Sequence, residues 1–230
     1  MVRLLGWSVP YGVRLARLMS DEQYFTNQPR TGSTAGTSKQ KTAKLQVDSE
    51  ILQVVLDSGV FARKGIDAGT MVLIDAAARP PAKGNFLDLG CGSGAIALTL
   101  ATRAPKATVY AVDVNERAIA LTASNAKLNN LPNIITLLPS SVHQDLRFDL
   151  IWSNPPIRIG KSELHALLQL WLSKLTETGE AWLVVNRNLG SDSLAVWLTS
   201  INYQVDRLVS KQGFRVLRVR PTRAADQSAS

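Results

Sequence analysis

The segment Asp88-Leu89-Gly90-Cys91-Gly92-Ser93-Gly94 limits what this chain can fold into more than any other stretch. It follows a short apolar run and opens a run with helical spacing, so its glycines fall where the backbone must turn sharply and a ligand can approach main chain. Asp113 closes the next apolar run about 20 residues on, where a carboxylate can accept both hydroxyls of a ribose. The two features together predict a nucleoside-cofactor site. The order Gly-x-Gly-x-Gly, with Asp88 two residues ahead of Gly90, lacks the longer final gap of the dinucleotide fingerprint. Cys91 reads as a small packing residue within the loop, since no His lies near it in sequence.

The surrounding pattern agrees with such a site. From Asn85 onward short apolar runs alternate with longer amphipathic ones, the signature of a parallel sheet covered by helices. The reading places strands over 86–89, 108–112, 134–138, 150–152, 181–185, 205–210 and 214–219, with helices over 95–103, 116–128, 162–175 and 191–200. The turn Gln212-Gly213 leaves no room for a helix, so the last two strands should pair antiparallel and the sheet should end in one antiparallel strand. Upstream, 45–56 reads as a strand and its approach, and 69–78 as a helix stopped by Pro80 and Pro81. Residues 27–44 are Gly, Ser, Thr, Gln and Lys with little apolar content, as in a flexible connection or mobile hairpin. The expected organisation is a basic extension and flexible segment over 1–44, one catalytic domain over 45–221 and a disordered tail over 222–230.

At 230 residues and 45% hydrophobic, the chain can bury one sizeable core. Its 26 Lys and Arg against 18 Asp and Glu give a net charge of +8, which draws polyanions such as nucleic acid and equally serves solubility. With Cys91 the only cysteine, no internal disulfide can form, which suits a cytoplasmic location. The first twenty residues carry Arg3, Arg14 and Arg17 without an unbroken apolar core or cleavage site, so a signal peptide is rejected. No apolar run is long enough for a membrane span. His143 and His165 lack partners at metal-ligand spacing, so no metal is expected.

The most informative stretch is Phe148 to Ile157, in which Asn154-Pro155-Pro156 follows an apolar strand. It places a polar side chain at the carboxyl end of a central strand, where open α/β sheets bind ligands. The prolines fix the backbone and remove two N–H donors, so the turn presents acceptors in a rigid frame. With the Asn154 side-chain oxygen and the Pro155 carbonyl accepting its hydrogens, an amine would be held with its lone pair aimed at an electrophilic methyl. Trp152, inside the strand, reads as core.

Asp88 with the glycine loop resembles motif I of class I S-adenosylmethionine-dependent methyltransferases, and Asn154-Pro155-Pro156 resembles motif IV of those acting on amino groups of adenine, guanine or glutamine amide. Gly59-Val60-Phe61-Ala62 and Asp67-Ala68-Gly69-Thr70 look like the corresponding elements of the ribosomal RNA small subunit methyltransferase C family. Gln212 to Val216 is similar to its terminal hairpin, and Tyr24-Phe25 with Pro29 to its lead-in segment. Ala62 stands where Ser is usual, Ile157 where an aromatic commonly stacks on a flipped base, and Arg158 where His is common. The chain lacks room for the degenerate second domain of enteric members and resembles the single-domain forms.

The resemblance implies a Rossmann-like α/β fold, with a seven-stranded mostly parallel sheet, an antiparallel C-terminal strand and helices on both faces. It implies methylation of the 2-amino group of a guanine in 16S ribosomal RNA, with ribosomal RNA or the small subunit as partner. Cofactor contacts are expected from Asp88, Gly90, Cys91, Gly92, Gly94, Asp113, Val114, Asn154, Phe61 and Thr70, and from Ser140 and Ser141 near the adenine. Asn154, Pro155, Pro156 and Ile157 form the expected catalytic element, while Arg158, Lys161 and Arg215 are substrate-binding candidates. Asp67 equally suits a helix N-cap. Arg207, Lys211, Arg215, Arg218, Arg220 and Arg223, with Lys39, Lys41 and Lys44, could hold phosphates or form a solvated face. Adenine or a protein glutamine is the alternative acceptor. A non-catalytic RNA-binding or assembly protein that retains the pocket is the alternative of another class.

Overall fold

The computed structural model describes residues 40–58, 60, 65–156 and 159–222. Phe61, Ala62, Ile157, Arg158, Lys39, Arg223, the segment before Gln40 and the tail from 223 lie outside the described residues. In chain order the elements are β1 (Gln40–Val47), β2 (Glu50–Asp57), α1 (Ala68–Ala76), β3 (Asn85–Leu89), α2 (Ala95–Arg103), β4 (Thr108–Val112) and α3 (Glu116–Leu128). There follow β5 (Ile134–Leu137), β6 (Phe148–Ser153), α4 (Lys161–Leu172), β7 (Leu175–Asn186), α5 (Ser191–Ser200), β8 (Tyr203–Lys211) and β9 (Phe214–Pro221).

Seven strands form one sheet in the order β5-β4-β3-β6-β7-β9-β8. The first five run parallel, and β9 is antiparallel to both of its neighbours. The antiparallel strand therefore lies one place in from the edge, with β8 outside it. Gln212 and Gly213 have φ of 53° and 80°, the positive pair that a two-residue hairpin turn requires. Alternation along each strand builds a core on each face. Phe86, Leu150 and Trp152 pack with α1 and α2 on one face, while Leu87, Leu89 and Ile151 pack with α4 and α5 on the other. Trp152 is fully buried, as a core residue should be.

The strand β1 begins at Gln40, inside the span whose composition reads as a flexible connection. The buried apolar residues of the β1–β2 hairpin are Leu45, Val47, Leu52, Val54 and Leu56, so its polar first half gives no strand signal of its own. What fixes the hairpin is α3. Asn125 exchanges hydrogen bonds with Val55, its Oδ1 accepting from the amide and its Nδ2 donating to the carbonyl, both at 2.9 Å. Asn129, one turn on, does the same with Gln53 at 2.8 Å. Two asparagine amides thus stand in for a neighbouring strand along the free edge of β2. Asn125 also donates to the Ser93 carbonyl at 2.9 Å, which ties the hairpin to the glycine loop.

Candidate active site

The glycine loop joins β3 to α2 at the carboxyl end of the sheet. Its amides at Gly90 and Cys91 donate to the Val112 carbonyl at 2.8 and 3.1 Å, so the turn is anchored on the end of β4. Gly90, Gly92 and Gly94 all have φ between 55° and 84°, where an L side chain is strained. A Cβ on Gly94 would lie 2.7 Å from the Thr122 methyl, so that glycine allows α3 to close on the loop. A Cβ on Gly90 or Gly92 would meet nothing within 4 Å, which leaves bare backbone facing open space. That is a cradle for a ligand.

Asp88 is fully buried; its Oδ2 accepts from the Ala97 amide at 2.9 Å and its Oδ1 has no partner. A buried carboxylate oxygen without a donor is costly, which favours the protonated form. Burial, partly offset by the Ala97 hydrogen bond, lifts the Asp88 carboxyl from 3.8 to about 8. A carboxyl raised in this way stabilises the fold while protonated. The contribution is complete below the unfolded value near 3.8 and is lost as pH rises toward about 8. The cofactor-free protein should therefore lose stability over that interval, and Asp88→Asn, neutral throughout, should flatten the slope in thermal melts recorded across it. Coincident slopes would show that Asp88 ionises without cost.

Asp113 lies past β4, partly exposed. Its Oδ2 accepts from the Gly92 amide at 3.0 Å and its Oδ1 from the Asn115 amide at 2.9 Å. Burial raises its carboxyl above the ordinary value, opposed by hydrogen bonds from the Asn115, Gly92 and Val114 amides. One side chain thus shapes both the loop and the turn into α3. Cys91 is buried, its sulfur accepting from Thr122 Oγ1 at 3.5 Å, and burial pushes its thiol up, so it is a packing residue and no nucleophile. Ser140 and Ser141 lie exposed on the 3-10 turn Pro139–Ser141 beyond β5.

β6 pairs with β3, and Ser153 Oγ donates to the Leu89 carbonyl at 2.8 Å, which clamps the strand end that carries Asn154 beside the glycine loop. Asn154 Nδ2 donates to Asp67 Oδ1 at 2.7 Å and to Thr70 Oγ1 at 3.1 Å. An ionised carboxylate only accepts, so the amide nitrogen faces Asp67 and the side-chain oxygen is left for another donor. Asp67 also caps α1, accepting from Gly69 and Thr70 amides at 2.8 and 3.2 Å. Pro155 is buried, and the Pro156 carbonyl accepts from the Ile159 amide at 3.2 Å.

Phe214, which the sequence reading did not single out for the site, lies against the first turn of α1; a Cβ on Gly69 would fall 2.8 Å from its ring. Lys161 is exposed at the start of α4. The cationic residues of the C-terminal strands are paired with carboxylates. Arg207 and Arg215 pair with Asp192, Lys211 with Asp75, and Arg218 and Arg220 with Asp206. Arg215 also donates to Ser210 Oγ at 3.3 Å. Arg207, Lys211 and Asp192 remain largely exposed in these pairs. Arg187, exposed after β7, enters none of these pairs.

A family model described as methyltransferase small domain matches residues 51–218. An uncharacterized Bacillus subtilis protein, YbxB, is 32% identical over 86% of this chain and 98% of its own length. Ribosomal RNA small subunit methyltransferase C of Erwinia tasmaniensis is 37% identical over 56% of this chain, which spans only 38% of that longer protein. Among solved structures, a T. thermophilus 16S rRNA N2 guanine methyltransferase (RsmC) in complex with AdoMet and guanosine superposes with a TM-score of 0.64. That match has 20% identity and covers 82% of this chain and 52% of the other. The sheet order, the glycine loop and its acids define a class I S-adenosylmethionine-dependent methyltransferase with a Rossmann-like fold. More narrowly, the chain belongs to the methyltransferase small domain family and is of the RsmC-like kind, with S-adenosylmethionine as its cofactor.

Proposed function

We propose that the protein methylates the exocyclic 2-amino group of a guanine in small-subunit ribosomal RNA, as a cytoplasmic enzyme acting on that RNA or on the subunit. The observation that carries the amine acceptor is the pairing of Asn154 with Asp67, which commits the amide nitrogen and leaves its oxygen to accept from an N–H. Guanine is favoured over adenine or glutamine by the likeness to ribosomal RNA small subunit methyltransferase C.

The cofactor is assigned to Asp88, Gly90, Cys91, Gly92, Gly94, Asp113 and Val114, with Thr70 and Asn154 toward its methionine end. Bound there, S-adenosylmethionine supplies a methyl already activated by its sulfonium. The task left to the protein is alignment, and no strong base is required. Asn154 Oδ1 and the Pro155 carbonyl accept the hydrogens of the amine and aim its lone pair, while Pro156 stiffens the turn. Ile157 and Arg158, outside the described residues, are kept in the catalytic element and among the substrate contacts on the sequence alone. Lys161 and Arg187 are assigned phosphate contacts at this end of the sheet; Arg215 contributes by holding the hairpin through Asp192.

Incubation of the protein with tritiated cofactor, ribosomal subunits and release factor tests the acceptor. Label is expected in ribosomal RNA. Label in protein alone would overturn the reading, and label in neither would favour a non-catalytic RNA-binding role.

A further inference from the structure

An asparagine on a rigid turn can present either end of its amide to a ligand, and the two ends are nearly the same size. Only one end serves here: an NH2 group turned toward an incoming amine would set donor against donor. Something must therefore choose the orientation. The atoms facing Asn154 Nδ2 are Asp67 Oδ1 at 2.7 Å and Thr70 Oγ1 at 3.1 Å. A hydroxyl can donate or accept and follows its partner, so the choice rests with the carboxylate, which can only accept.

Asp67 is itself held. The same Oδ1 accepts from the Gly69 and Thr70 amides, and the first turn of α1 is pressed against the Phe214 ring at Gly69, where no side chain intervenes. Capping alone does not explain an acid at this position, because Ser caps a helix about as well as Asp. The demand that separates Asp from Ser is an oxygen with no hydrogen of its own facing Asn154. We propose that Asp67 is a positioning residue for methyl transfer, acting through Asn154 by fixing which end of its amide meets the acceptor amine. This inference deepens the amine methyltransferase reading and rests on it.

Asp67→Ser keeps a cap on α1 but faces Asn154 with a hydroxyl that donates as well as accepts. Asp67→Asn keeps an amide oxygen that the same two cap amides hold in place, so it still accepts from Asn154 Nδ2 and serves as the conservative rescue. Turnover is measured with tritiated S-adenosylmethionine on small subunits from cells lacking the gene, and cofactor affinity by calorimetry. Asp67→Ser is expected to lower kcat by roughly tenfold, with cofactor Kd within about twofold and thermal midpoint essentially unchanged. Asp67→Asn is expected to stay within roughly threefold of wild type, a difference between two competent caps that a purely structural cap would not produce.

Turnover by Asp67→Ser at the wild-type level, losses of stability and cofactor binding in step with activity, or Asp67→Asn no more active than Asp67→Ser would each overturn the proposal. Asn154→Ala measured alongside separates the two levels. If it is inactive while Asp67→Ser is fully active, the Asp67 assignment alone fails; if Asn154→Ala is active, the reading of Asn154 fails and the assignment with it.

Discussion

Asn154→Ala is expected to lower turnover by about a hundredfold to a thousandfold while leaving S-adenosylmethionine affinity within about threefold. The side chain sits at the end of β6, clamped to the glycine loop through Ser153 and the Leu89 carbonyl, so its oxygen is preorganised before any acceptor arrives. Alanine removes that oxygen and leaves the loop, Asp88 and Asp113 as they are, which is why binding and turnover should separate. Steady-state kinetics with labelled cofactor and calorimetry on the same preparation check this. Equal losses in both would place Asn154 in the cofactor site alone, and unchanged turnover would remove it from the chemistry.

The second large effect falls on binding. Asp113→Ala is expected to weaken S-adenosylmethionine by roughly a hundredfold, about 3 kcal/mol. The carboxylate accepts the Gly92 and Asn115 amides at 3.0 and 2.9 Å, and its remaining lone pairs are assigned to the ribose hydroxyls. Its loss therefore loosens the loop and removes the ligand contact together, with hydrogen bonds to a charged group costing about 1.5 to 3 kcal/mol each. Calorimetry reads the change directly. A Kd within about threefold of wild type would show that the diol is held elsewhere. Asp113→Asn, which can still accept from one amide, should fall between the two.

Much of this site was legible in the sequence because local physics determines it. Glycines at positive φ, an acid two residues ahead of them and another closing the next strand occupy fixed places in a strand-turn-helix unit, and prolines after Asn154 need no distant partner. The bounds of α2, β4, α3 and α5 agree with the periodicity for the same reason. Other features depend on residues far apart in sequence. Asp67 and Asn154 are 87 positions apart, and their hydrogen bond ties an ordinary N-cap to the end of β6. The strand β1 reaches back to Gln40 because Asn125 and Asn129, some 70 residues on, complete the edge of its hairpin partner. The strand β7 runs from Leu175, longer than its apolar stretch, with a register shift against β6 between Phe148 and Leu150. Chain order does not place β9 between β7 and β8; antiparallel pairing with both does.

The pairing of charges was not legible. Counting cations along β8 and β9 leaves a phosphate-binding stripe and a solvated face equally open, and it does not reveal that Asp75, Asp192 and Asp206 pair with those cations from α1, α5 and β8. Ion pairs formed across elements cannot be counted from a one-dimensional pattern.

The most direct test of the central claim, that an acceptor oxygen fixed at Asn154 directs a guanine amine to the methyl donor, is nucleoside mass spectrometry of 16S ribosomal RNA. The RNA would come from cells without the gene and from the same cells carrying the wild-type or the Asn154→Ala protein. The account predicts less 2-methylguanosine without the gene, restored by the wild type and not by Asn154→Ala. Levels that do not change with the gene, or that Asn154→Ala restores in full, would contradict it.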